Sequence, residues 1–136
     1  MGLRTIKFRG KSIYDEEWLY GSLIKIEKDR YAVIPPLNDI EIGKSIGMYE
    51  VCLETIGQFT GLYDKNGKEI YEGDILHTVT FGFEPEEYTA IILYDNCRFQ
   101  LSNGRNLFYF GQSDLTRMDD TIVIGNIYDN PELIIP

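Results

Sequence analysis

The sequence predicts a mainly β protein, in which about five short antiparallel strands make a small barrel behind an N-terminal β-rich extension. Three observations lead there. Residues 54–75 carry four glycines and an Asn66-Gly67 turn between short apolar pieces, a pattern for folding a chain tightly. Apolar residues recur with a period of two, and no segment sustains a 3.6-residue period over three turns. Five strand-like runs separated by tight turns fall between Ile75 and Ile124, a spacing that suits a small barrel.

Taken in order, Arg4–Arg9 alternates Ile6 and Phe8 with Lys7 and Arg9 and predicts a first strand with a solvated cationic face. The polar run Tyr14–Trp18 predicts a turn that delivers Trp18. Trp18–Ile26 and Tyr31–Ile34 predict a hairpin around the four-residue loop Glu27–Arg30. Pro35-Pro36 ends its second arm, because proline cannot donate into a ladder. Residues 37–47 predict an excursion, and Met48–Leu53 another short strand. Gly57 and Gly61 bracket a short extended piece, and Asn66-Gly67 predicts a primed two-residue turn with both residues at positive φ.

Beyond Gly73-Asp74, Ile75–Phe81 predicts a strand with Ile75, His77, Val79 and Phe81 on its apolar face. Residues 82–87 make an acidic loop. Strands follow at Tyr88–Tyr94, Cys97–Leu101, Leu107–Phe110 and Thr121–Ile124, with a turn of helix expected at Ser113–Asp120. Asp129–Leu133 predicts a single helical turn with Pro131 early in it. The expected division is an N-terminal lobe at 1–53 and the barrel region at 54–136.

Gly57-Gln-Phe-Thr-Gly-Leu62, Asp64-Lys-Asn-Gly-Lys-Glu-Ile-Tyr-Glu-Gly-Asp-Ile75 and Gly125-Asn-Ile-Tyr-Asp-Asn-Pro-Glu-Leu133, in that order, resemble the YopX family of small bacteriophage and prophage proteins. The opening Ile6-Lys-Phe-Arg9 resembles the way its members begin. The resemblance implies an SH3-like barrel component and a phage or prophage origin. It brings no catalytic residues with it.

Composition excludes several kinds of function. An apolar fraction of 43% with 13% aromatics belongs to a folded chain. With no long apolar run or signal-peptide pattern, the expectation is a soluble intracellular protein without membrane contact, and the resemblance implies the cytoplasm of a bacterial host cell. Net charge is −9, unevenly spread: residues 1–30 hold seven Lys/Arg against five Asp/Glu, and the rest six against seventeen. Such an acidic body repels polyanions and argues against broad nucleic-acid binding.

No constellation of catalytic or metal-ligating residues emerges. His77 is the only imidazole and sits in an apolar strand pattern. Cys52 and Cys97 lie far apart outside any Cys-x-x-Cys pair and predict two reduced thiols, too few with one histidine for a zinc site. Ser102 and Ser113 sit in turn-like contexts without a Gly-x-Ser-x-Gly elbow. Glu84, Glu86, Glu87, Asp119 and Asp120 lack calcium-loop spacing, and no glycine pattern for nucleotide binding occurs.

The expectation is therefore no enzyme, no cofactor and no metal. The expected role is protein interaction or assembly, the partner being a host or phage protein or a second copy of the chain in a homo-oligomer. For residues 54–75 two readings stay open, a purely structural turn or a contact surface as well, since Lys65, Lys68 and Glu69 would point outward from the hairpin. Nucleic acid is the second choice, resting on Arg98-Phe99 and Arg105–Tyr109, where aromatics beside arginine can stack bases.

Overall fold

The computed structural model describes residues 5–36, 47–79, 87–95, 98–102 and 120–134. About 60% of these are in strands and 6% in short 3-10 turns, so the protein is mainly β, as the alternating pattern predicts. The chain divides into two compact units, residues 1–59 and 60–136, the boundary falling inside a strand.

In the first unit, β1 (Phe8–Lys11), β2 (Trp18–Glu27), β3 (Arg30–Ile34) and β4 (Tyr49–Val51) pair antiparallel in sequence order. On its other side β1 pairs with the start of β5 (Gly57–Tyr63), Arg9 opposite Gly57. The sheet curls: Ser12 bridges Val51, and the Cys52 N–H donates to the Lys11 carbonyl at 2.8 Å. Gly10 permits this, because a Cβ there would lie 2.8 Å from Val51 Cβ. Ala32, Val33, Val51 and Phe59 are buried. A 3-10 turn at Leu53–Thr55 then leads into β5.

Two expectations for this unit need correction. The first strand begins later than predicted, and Arg9 is buried while Ile6 is exposed, so the cationic side of the strand is not a solvated face. The reason is Trp18: its ring lies 4.5 Å from the Arg9 guanidinium and 5.5 Å from Lys11 Nζ, giving the long cationic stems an aromatic surface to cover. The β2–β3 loop has two residues rather than four, because Asp29 adopts φ 62° and lets Glu27 pair directly with Arg30.

In the second unit, the later half of β5 neighbours β6 (Glu69–Tyr71). A four-stranded antiparallel sheet follows, built from β7 (Asp74–Val79), β8 (Glu87–Asp95), β9 (Arg98–Leu101) and β10 (Ile122–Asn126), in the order β10-β7-β8-β9. Ile70, Leu76, Ala90, Ile92 and Leu101 form its core, with Leu62, Phe99 and Val123 packed against them. Fully burying each large aliphatic side chain stabilises the unit by roughly 1.5–3 kcal/mol. Thr78 and Thr121 are also buried and satisfy each other at 2.7 Å.

The described strands form open sheets, so a closed SH3-like barrel is not what they make. The strand expected at Leu107–Phe110, the acidic loop expected at 82–87, apart from Glu87, and the helical turn expected at Ser113–Asp120, apart from Asp120, lie outside the described residues. Glu87 is not in a loop but begins β8, paired with Val79. The core face of β7 is also corrected: Leu76, opposite Ala90, belongs to the core, whereas His77 is half exposed. The helical turn at Pro131–Leu133 is present, with proline in its first positions.

The Asn66-Gly67 turn differs from its expected type. Only Gly67 has positive φ, at 81°, and the loop runs from Asp64 to Lys68. The Gly67 N–H donates to the Asp64 carbonyl at 3.0 Å, and the Asp64 N–H to the Lys68 carbonyl at 2.8 Å. This is a three-residue hairpin loop with its glycine at the bulge. Asp64 selects it: one carboxylate oxygen accepts the N–H groups of Asn66 and Lys68 at 2.8 and 2.9 Å, holding the chain in a local turn.

Candidate functional site

In the first unit, the turn after β1 is tied to itself and to β4. The Ser12 N–H donates to the Glu17 carbonyl at 2.9 Å, and the Tyr14 N–H to Ser12 Oγ at 3.2 Å. Asp15 Oδ1 accepts the Glu17 N–H at 3.1 Å, while Glu16 takes φ 59°. The Ile13 N–H reaches across to the Glu50 carbonyl of β4 at 3.2 Å. A turn with its backbone groups so occupied holds its apolar side chains outward at a defined place.

Those side chains are large. Ile13 is 43% exposed, Tyr14 84%, Met48 55% and Tyr49 48%. The Tyr49 ring lies over Gly47, where a Cβ would come within 2.6 Å of its hydroxyl. Acidic residues Asp15, Glu16 and Glu17 adjoin Tyr14, and on β4 Glu50 follows Tyr49. Arg30 bridges Glu50 and Glu27 at 2.7 and 2.6 Å. Hydrogen bonding to Arg30 holds the Glu50 carboxyl below the usual carboxylate range, and Glu50 with Glu27 raises the Arg30 pKa. An apolar patch with aromatic and methionine content and a charged margin has the composition of a protein-contact surface.

The residues singled out from sequence lie elsewhere and do not converge. His77, on β7 of the second unit, faces Ile122 and Thr89 in register, its Nε2 3.9 Å from Glu87. Ser102 uses its Oγ to accept the Ile91 N–H at 3.0 Å. Cys52 is a free, half-buried thiol. Arg98 donates to Gln100 Oε1 at 3.2 Å, and Phe99 packs edge-on against Tyr94 with ring centroids 5.1 Å apart. Asp120 is exposed. Glu84, Glu86, Cys97, Arg105, Ser113 and Asp119 lie outside the described residues. Among the described residues, no three His, Cys, Asp or Glu side chains are grouped to hold a metal ion, and no helix is long and apolar enough to cross a membrane.

The motifs at 64–75 and 125–133 do meet, through backbone hydrogen bonds within the second unit. Asp64 Oδ2 accepts the Val123 N–H at 3.0 Å, and the Lys65 N–H donates to the Thr121 carbonyl at 2.9 Å. The Tyr71 N–H donates to Asp74 Oδ2 at 2.7 Å. The Gly73 carbonyl accepts the Ile127 N–H at 3.0 Å, with Tyr128 packed beside the Gly73 backbone. Asn126 Oδ1 accepts the N–H groups of Tyr128 and Asp129, and Asn130 Oδ1 accepts that of Asn126. Every one of these side-chain acceptors is engaged by the backbone.

Sequence reading did not find the exposed patch. Ile13 and Tyr49 are separated by 35 intervening residues, and their segments are joined by the Ser12–Val51 bridge and the bond from the Ile13 N–H to the Glu50 carbonyl. The one available signal was the apolar content of Met48-Tyr49 at the start of a short strand.

The sequence model of the YopX protein family matches residues 7–135. Among solved structures, the crystal structure of protein EF1440 from Enterococcus faecalis is similar, with a TM-score of 0.61 and 30% identity, over 98% of this chain and 100% of that one. No curated protein matches the sequence.

Proposed function

The chain belongs to the YopX family, and from that premise we propose that it is a non-enzymatic protein-interaction or assembly module. We take it to be encoded by phage or prophage and to work in the bacterial cytoplasm. The observation that carries this reading is the exposure of Ile13, Tyr14, Met48 and Tyr49, carried by a turn and a short strand that the bond from the Ile13 N–H to the Glu50 carbonyl joins. Such a surface offers large side chains at little ordering cost, which favours association. The partner is another protein or a second copy of the chain.

A nucleic-acid role is the competing reading. In its favour, Lys7 just before β1 and Arg9 and Lys11 within it alternate along the chain, beside Phe59 and Trp18. Against it stand the burial of Arg9 and the net charge of −9. Affinity capture of the tagged protein from bacterial cells, with and without nuclease, separates the two. Protein partners in fixed proportion after nuclease treatment support the first reading. Partners that vanish, with DNA or RNA co-purifying, support the second and overturn the first.

A further inference from the structure

Asn66 and Gly67 are both exposed, in the loop that Asp64 organises. The bond between them has an intrinsic weakness, since glycine has no Cβ to shield its nitrogen or restrict its approach. We infer that Asn66 is a deamidation site whose reaction is held back by Asp64.

The chemistry balances with water as its only co-reactant. The Gly67 backbone nitrogen gives up its proton and attacks Asn66 Cγ, forming a five-membered succinimide. The Cγ–Nδ2 bond breaks, and the side-chain nitrogen departs as ammonia. Water then opens the ring at either carbonyl, giving aspartate or isoaspartate, with no change of oxidation state. The product carries a new negative charge beside Asp64. In the isoaspartate form the main chain runs through the former side chain, which lengthens the loop and spoils its register.

The geometry opposes the first step in the closed loop. The attacking nitrogen is occupied, its N–H donating to the Asp64 carbonyl at 3.0 Å. The residues on either side are fixed as well, because the Asn66 and Lys68 N–H groups share Asp64 Oδ1 at 2.8 and 2.9 Å. Nothing lies within 4 Å of a Cβ built at Gly67, so neighbouring side chains do not provide the protection. Attack therefore requires local opening of the loop, and Asp64 sets how often it opens.

The test is peptide-mapping mass spectrometry of the full-length protein incubated at mildly alkaline pH, scoring aspartate and isoaspartate at Asn66. Asn103-Gly104, the other Asn-Gly pair of the sequence, is scored in the same samples. Asn66 in the native protein is expected to react at least about tenfold more slowly than in the urea-unfolded chain, and Asp64→Ala, which removes the carboxylate acceptor, to restore most of that loss. Equal rates in native and unfolded protein overturn the inference. So does a folded Asp64→Ala protein with an unchanged rate. Should that variant not fold, the wild type in sub-denaturing urea decides: a rate that rises before global unfolding upholds the gating, and a flat one refutes it.

Discussion

The Val123 N–H of β10 donates to the carboxylate of Asp64, 59 residues away, at 3.0 Å. Asp64 is 1% exposed and holds the β5–β6 loop with its other oxygen. One side chain thus closes a hairpin and occupies a donor of β10, as a neighbouring strand would. Unpaired strand donors invite association, and Asp64 removes that liability here.

Asp64→Ala is expected to destabilise the protein by about 3–4 kcal/mol, since three backbone donors lose a charged acceptor. Asp64→Asn keeps an acceptor oxygen and should cost less. Urea unfolding of both variants checks the order. Equal stability of wild type and Asp64→Ala would refute the structural role.

Two glycines of the family motifs are there for different reasons. A Cβ at Gly125 would lie 2.5 Å from Asn130 Oδ1, the atom that accepts the Asn126 N–H. Gly67 has open space but φ 81°. Gly125→Ala is therefore expected to cost about 1–3 kcal/mol by displacing Asn130. Gly67→Ala should cost only about 1 kcal/mol, from backbone strain. Chemical denaturation separates them.

The buried hydroxyls of Thr78 and Thr121 form a closed pair. Thr78→Val strands the Thr121 hydroxyl and is expected to cost about 1–3 kcal/mol. Replacing both with valine should restore much of that loss, so the double-mutant cycle shows strong coupling. Additive effects would mean that the pair does not interact.

The Glu50 carboxyl is held down by its hydrogen bonds to Arg30. Its contribution to stability is therefore complete above the unfolded carboxylate pKa of about 4.3 and is lost as pH falls through the lower folded value. The difference in Tm between wild type and Glu50→Gln should be present at neutral pH and disappear in acid. A difference that grows with acidity would reverse the assignment. Both partners are partly exposed, so added salt should also shrink it.

Much of the fold was legible because alternation and turn chemistry are local. Trp18 entering β2, the stop at Pro35, the strand at 88–94 and the turn at Pro131 follow from short-range rules. Misreadings occurred where a distant group overrode a local preference. Trp18 draws Arg9 out of solvent, and Asp64 replaces a primed turn with a bulged one. Closure into a barrel could not be read from strand count, since it depends on register and shear. The motifs were visible as patterns, but their structural role emerged only when Asp64 met Val123 and Gly73 met Ile127. The exposed patch had no periodic signature, because two segments far apart in sequence build it.

The turn and strand that carry Ile13 and Tyr49 are the proposed working surface. Affinity capture after nuclease treatment tests it most directly, comparing wild type with the folded variants Tyr49→Ser and His77→Ala. Loss of the captured protein, or of self-association, in Tyr49→Ser and its retention in His77→Ala is the expected result. Capture that survives Tyr49→Ser and fails in His77→Ala would contradict the account and move the working surface to the second unit.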